Sequence, residues 1–376
     1  MIPGWHFSAT ERLRQRLWRA AFLFSACLGL QACGTLSYYA QSVTGQIEVL
    51  AKRRPIEAAA EDPGESVERR ARLRRLQQMR EFAVSSLGLP DNGSYRSYAD
   101  LQRRFVIYNV FAAPALSFAP VRSCFLVIGC LDYRGYFSER MARRHAARLQ
   151  ARGTDVYVGG VAAYSTLGWF DDPVLNTMLD WDEAQLAKFL FHELAHQRLY
   201  VKDDTAFNEA FAETVAEVGL ERWLAAHVAP DEAERLRREE EREKEFVRLI
   251  LDIRRELESL YSSPVAEAAK REGKQAAHDR FRARYTELRR RWHGDRSYDS
   301  WAYGDLNNAK FNAVATYRGA VPAFRALLAL SGDDLSRFYD RAASLGKLPR
   351  SERSACLSQL QAAGADLAGA CATLTE

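Results

Sequence analysis

His192 and His196 stand four residues apart, and Glu193 directly follows the first of them. On a helix, positions i and i+4 share one face, so the two imidazoles lie one turn apart. Two neutral imidazoles so placed can bind one Zn²⁺. Glu193, beside the first ligand, can take a proton from a water activated by that metal and hand it on. This His-Glu-x-x-His spacing is the one that metal-assisted hydrolysis uses. Eleven residues past the second histidine begins Phe207-Asn208-Glu209-Ala210-Phe211-Ala212-Glu213. A catalytic zinc that keeps one position open for water takes three protein ligands, two His and one Glu being one such set. Glu209 is the expected third ligand. Glu213, one turn further on the same face, is placed to accept the ring N–H of a ligand histidine.

These residues need two helices and a tight turn. Leu186-Ala187-Lys188-Phe189-Leu190-Phe191 precedes the histidines, and Leu194-Ala195 lies between them. That apolar setting predicts a buried motif helix over roughly 181–200, where His and Glu without a metal would be poorly matched. Asp203-Asp204-Thr205 predicts a turn that caps a second helix over 205–226. Folded back as an antiparallel pair, the two helices bring Glu209 over both histidines. Only six histidines follow residue 32, and two of them are used here.

Upstream of this pair, 44–60 is expected to be helical with a break at Pro55, and 65–86 to be an Arg-rich surface helix. Its arginines are expected to be a solvated face rather than a binding patch. Residues 104–112, 115–119 and 124–129 are rich in β-branched and aromatic residues and punctuated by proline, which predicts strands. A helix over 138–152 ends at Gly153. A strand over 155–165 follows, and its edge is the expected track for an extended peptide beside the metal. Residues 231–292 predict a long charged helical hairpin. Helices around 308–330, 333–345 and 351–370 end the chain. Helices, a small sheet and then mostly helices make an α+β fold.

The N-terminus reads as a targeting segment. Arg12, Arg14, Arg16 and Arg19 precede an apolar run from Ala20 to Leu30, too short to cross a bilayer. Leu30-Gln31-Ala32-Cys33-Gly34 resembles the bacterial lipobox. The expected division is therefore a signal peptide over 1–32, lipidation of Cys33, a tether over 33–43 and one domain over 44–376. By resemblance to diderm lipoproteins, Gly34 after the cysteine implies the outer membrane, facing the periplasm. The other readings are an ordinary signal with an incidental cysteine and, ranked after it, a retained anchor helix. Four cysteines remain, Cys124, Cys130, Cys356 and Cys371; an even number in an exported chain permits two disulfides. Local pairs, Cys124–Cys130 and Cys356–Cys371, are expected because sequence neighbours meet most easily; free thiols are the alternative. The net charge of +4 falls to about +1 without residues 1–32, which argues against a nucleic-acid partner.

His-Glu-Leu-Ala-His followed by Asn-Glu-Ala-Phe-Ala-Glu resembles the gluzincins, zinc peptidases that include thermolysin and the membrane alanyl-type aminopeptidases. Only twelve residues separate His196 from Glu209, a tighter join than in those enzymes. A closer resemblance, over most of the mature chain, is to a family of bacterial lipoproteins described as predicted aminopeptidases. It is carried by Gly129-Cys130-x-x-Tyr133-Arg134-Gly135-Tyr136-Phe137, Gly168-Trp169-Phe170-Asp171-Asp172-Pro173, His192 to Gln197, Phe207 to Glu213 and Leu306-Asn307-Asn308-Ala309. The resemblance implies a zincin-like fold, Zn²⁺ on His192, His196 and Glu209, and aminopeptidase activity on peptides. Tyr317 is one expected partner for the oxyanion and Tyr164 another. Asp171 and Asp172 are expected to meet a substrate α-amine, although Asp before Pro is equally a turn former. An endopeptidase acting on envelope proteins or cell-wall peptides fits the same residues. So does, less well, a non-catalytic lipoprotein with a structural zinc, because such a site has no use for Glu193.

Overall fold

The computed structural model describes residues 36–125, 129–315 and 321–363. The expected signal segment, Cys33, Tyr317 and Cys371 lie outside the described residues. The described chain opens in helix α1 (36–51), followed by β1 (Arg53–Pro55) and α2 (Ile56–Glu61). The helix expected over 44–60 is broken before Pro55, at residue 51. The Pro55 φ of −50° with ψ 135° places it in extended backbone, where it closes a short strand and starts a new helix. β1 runs antiparallel to β2 (Ser97–Ala99), and β2 runs parallel to β8 (Val174–Leu175).

The second sheet has β3 (Ile107–Pro114) at its centre, with β6 (Tyr133–Tyr136) and β7 (Thr154–Val161) antiparallel on either side. Asn109 faces Gly135 on one neighbour and Gly159 on the other. The strand expected over 115–119 does not form. The amide of Asn308 reaches the carbonyl oxygens of Pro114, Ala115 and Ser117, taking acceptors that a strand neighbour would need. The expected strand 124–129 is instead a hairpin, β4 (Ser123–Phe125) and β5 (Gly129–Leu131), with Cys124 opposite Cys130 and bonded to it. Helix α4 (Glu139–Gln150) covers one face of the sheet, burying Ala142, Ala146 and Leu149 against Val110, Ala112 and Val156. Gly153 follows at φ +79°, a conformation only glycine adopts without strain.

The largest core lies among helices. α3 (Val67–Ser85), α5 (Glu183–Arg198), α6 (Thr205–His227), α11 (Val321–Leu330) and α12 (Leu335–Lys347) bury Phe191, Phe207, Phe211, Trp223, Phe324 and Phe338. Gly219 lets α6 lie close to α5: a Cβ there would come within 2.7 Å of the Phe191 ring. α13 (Arg350–Ala363) closes this body. Its Cys356 is buried and disulfide-bonded. The charged hairpin forms as expected, α7 (Pro230–Ser262) against α8 (Glu267–Arg291). It has its own core of Phe246, Ile250, Ile253, Leu257, Phe281 and Tyr285, to which α9 (Asp299–Ala302) and α10 (Asn308–Ala315) contribute Ala302 and Phe311. The architecture is mostly helical α+β. No helix among the described residues is long and apolar enough to cross a membrane.

Candidate metal centre

Helix α5 starts at a capping box: the Asp182 carboxylate accepts from Gln185 N, and the Gln185 side chain accepts from Asp182 N. Its apolar positions Leu186, Leu190 and Leu194 are buried, which turns His192 and His196 to the remaining face. The return to α6 is held by two polar clamps. The Asn208 amide, 1% exposed, accepts from Val201 N at 2.7 Å and donates to Val201 O at 2.8 Å. The Asp204 carboxylate caps α6 at Phe207 N and takes two bonds from buried Arg353 on α13, at 2.7 and 2.8 Å. The next residue after Asn208 is Glu209, so the clamp fixes where that carboxylate arrives.

His192 Nε2 and His196 Nε2 are 3.1 Å apart, and Glu209 oxygens lie 3.3 and 3.7 Å from them. One ligand atom from each of these three residues falls within 4.8 Å of the other two. Zinc bound tetrahedrally at 2.0–2.1 Å puts its ligands about 3.3 Å apart, close to the 3.1 Å between the histidines and the 3.3 Å from His192 to Glu209 Oε2, while His196 stands 3.7 Å from the other oxygen, Oε1. The donor chemistry agrees. His192 Nδ1 faces Glu213 Oε2 at 3.5 Å. A proton on that nitrogen leaves the Nε2 lone pair turned to the triangle. His196 is 5% exposed, and its Nδ1 has no hydrogen-bond partner among the described residues. Three electron-pair donors thus meet at one point, an arrangement that a cation stabilises.

The surrounding charges are strongly perturbed. Burial pushes the Glu193 carboxyl up to about 7, against the pull of His192 and of the neighbouring Ser165 hydroxyl. Burial works against a charge on His192, but Glu209 and Glu213 outweigh it and raise the imidazole to about 10, so a metal ion must displace a proton from its Nε2. His196 is pushed the other way, to about 4, by burial and by His192. Burial disfavours the Glu213 carboxylate, yet His192 and Lys188 hold it well below the usual range.

The three donors and Glu193 open into a cleft of about 760 Å³. Its walls are one face of the sheet (Ile107, Asn109, Tyr133, Gly135, Val161), the segment beyond β7 (Ala163, Tyr164, Ser165), and Phe137, Phe189 and Val247. Tyr164 lines this cleft, but its hydroxyl donates to Gln46 Oε1. Asp171 and Asp172 are not among the lining residues. Asp172 is buried, and its carboxylate accepts from Thr166 N, Thr166 Oγ1 and Ser165 Oγ. It staples the 165–172 loop, the role of a turn former. Asp171 is exposed, its carbonyl taken by Arg53.

Three residues at the centre escaped the sequence reasoning. Tyr133 lines the cleft, and its phenol is raised by burial and by the Glu209 charge. Lys188 bonds Glu213 Oε1 at 2.9 Å. Ser165 donates to Asp172 at 3.4 Å and lies beside Glu193. Only Lys188 left a signal: it stands four residues before His192, on the same helix face.

No curated protein and no solved structure matches this chain. A family model described as "Putative aminopeptidase" matches residues 37–357, and the chain belongs to that family.

Proposed function

We propose that the protein is a zinc-dependent aminopeptidase that acts on peptides in the cell envelope, held there by a lipid on Cys33. The observation that carries the chemistry is the triangle of His192, His196 and Glu209, sized for zinc, with Glu193 beside it in an open cleft. When bound there, zinc supplies Lewis acidity toward water and toward a peptide carbonyl. Glu193, poised near neutrality by burial, takes the proton of the attacking water and returns it to the leaving amine. The Tyr133 hydroxyl, on the opposite wall, donates a hydrogen bond to the developing oxyanion. An extended peptide lies beside Val161 at the end of β7, the residue of that strand that lines the cleft.

Two features support cleavage at a free N-terminus. The first is membership of the aminopeptidase family. The second is the sign of the cleft: Glu193, Glu209, Glu213 and Glu243 line it, and no Lys or Arg does among the described residues. Lys188 offsets Glu213 and a divalent ion offsets Glu209, and the carboxylate oxygens left facing the cleft are acceptors for an α-ammonium group. The test is hydrolysis of matched free and N-acetylated peptides by the full chain, after chelation and again after zinc is restored. Zinc-dependent release of N-terminal residues from free peptides alone supports the proposal. Cleavage of acetylated peptides moves the assignment to an endopeptidase, and activity unchanged by chelation refutes zinc dependence.

A further inference from the structure

We propose that Lys188 is a positioning residue of the metal centre: its ammonium anchors Glu213, and through Glu213 it orients His192. The inference rests on the zinc-site reading above. Lys188, His192 and His196 follow at i, i+4 and i+8 on α5, so the ammonium lies one turn before the first ligand. Lys188 Nζ is 2.9 Å from Glu213 Oε1 and 3.4 Å from Glu240 Oε1, while Glu213 Oε2 is 3.5 Å from His192 Nδ1. The last contact is long for an N–H···O bond, which favours 2.7–3.2 Å. Glu213 alone therefore grips the ring weakly, and the orientation of its carboxylate depends on the shorter bond at its other oxygen.

An ammonium suits this place. It donates three hydrogen bonds without a planar constraint, and here it serves carboxylates on two different helices, Glu213 on α6 and Glu240 on α7. One cation thus joins the motif helix, the ligand helix and the root of the charged hairpin. Lys188 and Glu213 are both mostly enclosed, their side chains 17% and 16% exposed. Without the lysine, Glu213 is a half-buried carboxylate one turn from Glu209 on the same face, free to turn toward the metal in competition with it. The lysine keeps Glu213 on the ring nitrogen and leaves the metal to Glu209.

The experiment compares zinc dissociation constants, by chelator competition, for the full chain as wild type, Lys188→Met, Lys188→Arg, Glu213→Gln and the Lys188→Met/Glu213→Gln pair. Unfolding of each metal-free protein is measured alongside. Loss of support for a ligand histidine typically costs 10–100-fold in metal affinity, and that weakening is expected for Lys188→Met. Lys188→Arg keeps the charge but not the geometry and should recover only part of it. In the Glu213→Gln background, Lys188→Met should change affinity less than about twofold, because the path to His192 is already cut. A merely structural lysine would lower metal-free stability equally in both backgrounds and leave zinc affinity alone. Wild-type affinity in Lys188→Met, or full additivity with Glu213→Gln, overturns the proposal while the zinc site stands. A wild-type chain that binds no zinc overturns both.

Discussion

Asn208 offers a perturbation whose size follows from the turn geometry. Its side chain makes no contact with the metal triangle, yet it closes the turn that delivers Glu209. Asn208→Ala removes two hydrogen bonds, each worth about 1 kcal/mol net. It also strands the N–H of Val201, which is half-buried, so water replaces that bond only in part, while Val201 O keeps the Asp204 N–H at 3.3 Å. A buried polar group left unpaired costs about 1–3 kcal/mol. The expected loss is thus about 2–4 kcal/mol of stability. Because Glu209 is the adjacent residue, a slackened turn should also weaken zinc binding by about 10–100-fold. Urea unfolding of the metal-free chain reads the first effect, and chelator competition reads the second. A variant within about 0.5 kcal/mol of wild type with unchanged zinc affinity would refute the idea that this clamp places the third ligand.

Other substitutions separate the remaining parts of the account. Arg353→Met leaves the Asp204 carboxylate buried without its cation, which should cost about 3–5 kcal/mol; adding Asp204→Asn should recover part of that loss in the same unfolding assay. Tyr133→Phe should lower kcat by about 10²-fold with little change in KM, as removal of one oxyanion donor does; an unchanged kcat removes Tyr133 from the mechanism. His278 is buried, and burial together with Lys274 and Arg282 holds its imidazole down to about 4. The fold keeps His278 neutral, while the unfolded chain binds a proton near 6.5. Its contribution to stability is therefore complete above pH 6.5 and is lost as pH falls toward 4, by at most about 3 kcal/mol. His278→Gln should flatten the decline between pH 7 and 4.5, and an equal decline in both proteins would contradict this assignment.

The chemistry was legible because it is local. His192, Glu193 and His196 advertise one helix face, and Asp204 with the Asn208-Glu209 pair marks the start of the next helix. The long hairpin of α7 and α8 was legible for the same reason, through its apolar stripe. What sequence did not disclose is held by distant partners. β1, β2 and β8 have two or three residues each and exist because they pair with one another across 44 and 76 residues of chain. Residues 115–119 carry strand composition, yet Asn308, nearly 200 positions away, claims their carbonyls. Tyr133 resembles any packed strand aromatic until β6 is laid beside β3. Asp172 shows the converse case. Its carboxylate looked available for a substrate amine, and the loop before it uses that charge.

The central claim concerns a metal that Glu193 needs in order to act, so the decisive measurement joins zinc content to hydrolysis in one pair of proteins. Wild type and Glu193→Gln are loaded with zinc, freed of excess and assayed on unblocked peptides. The account predicts about one zinc per chain in both. It also predicts hydrolysis by the wild type and a loss of about 10²–10⁴-fold in the variant, the usual contribution of a general base. A wild type that retains no zinc, or a Glu193→Gln variant that cuts as fast as wild type, would contradict it.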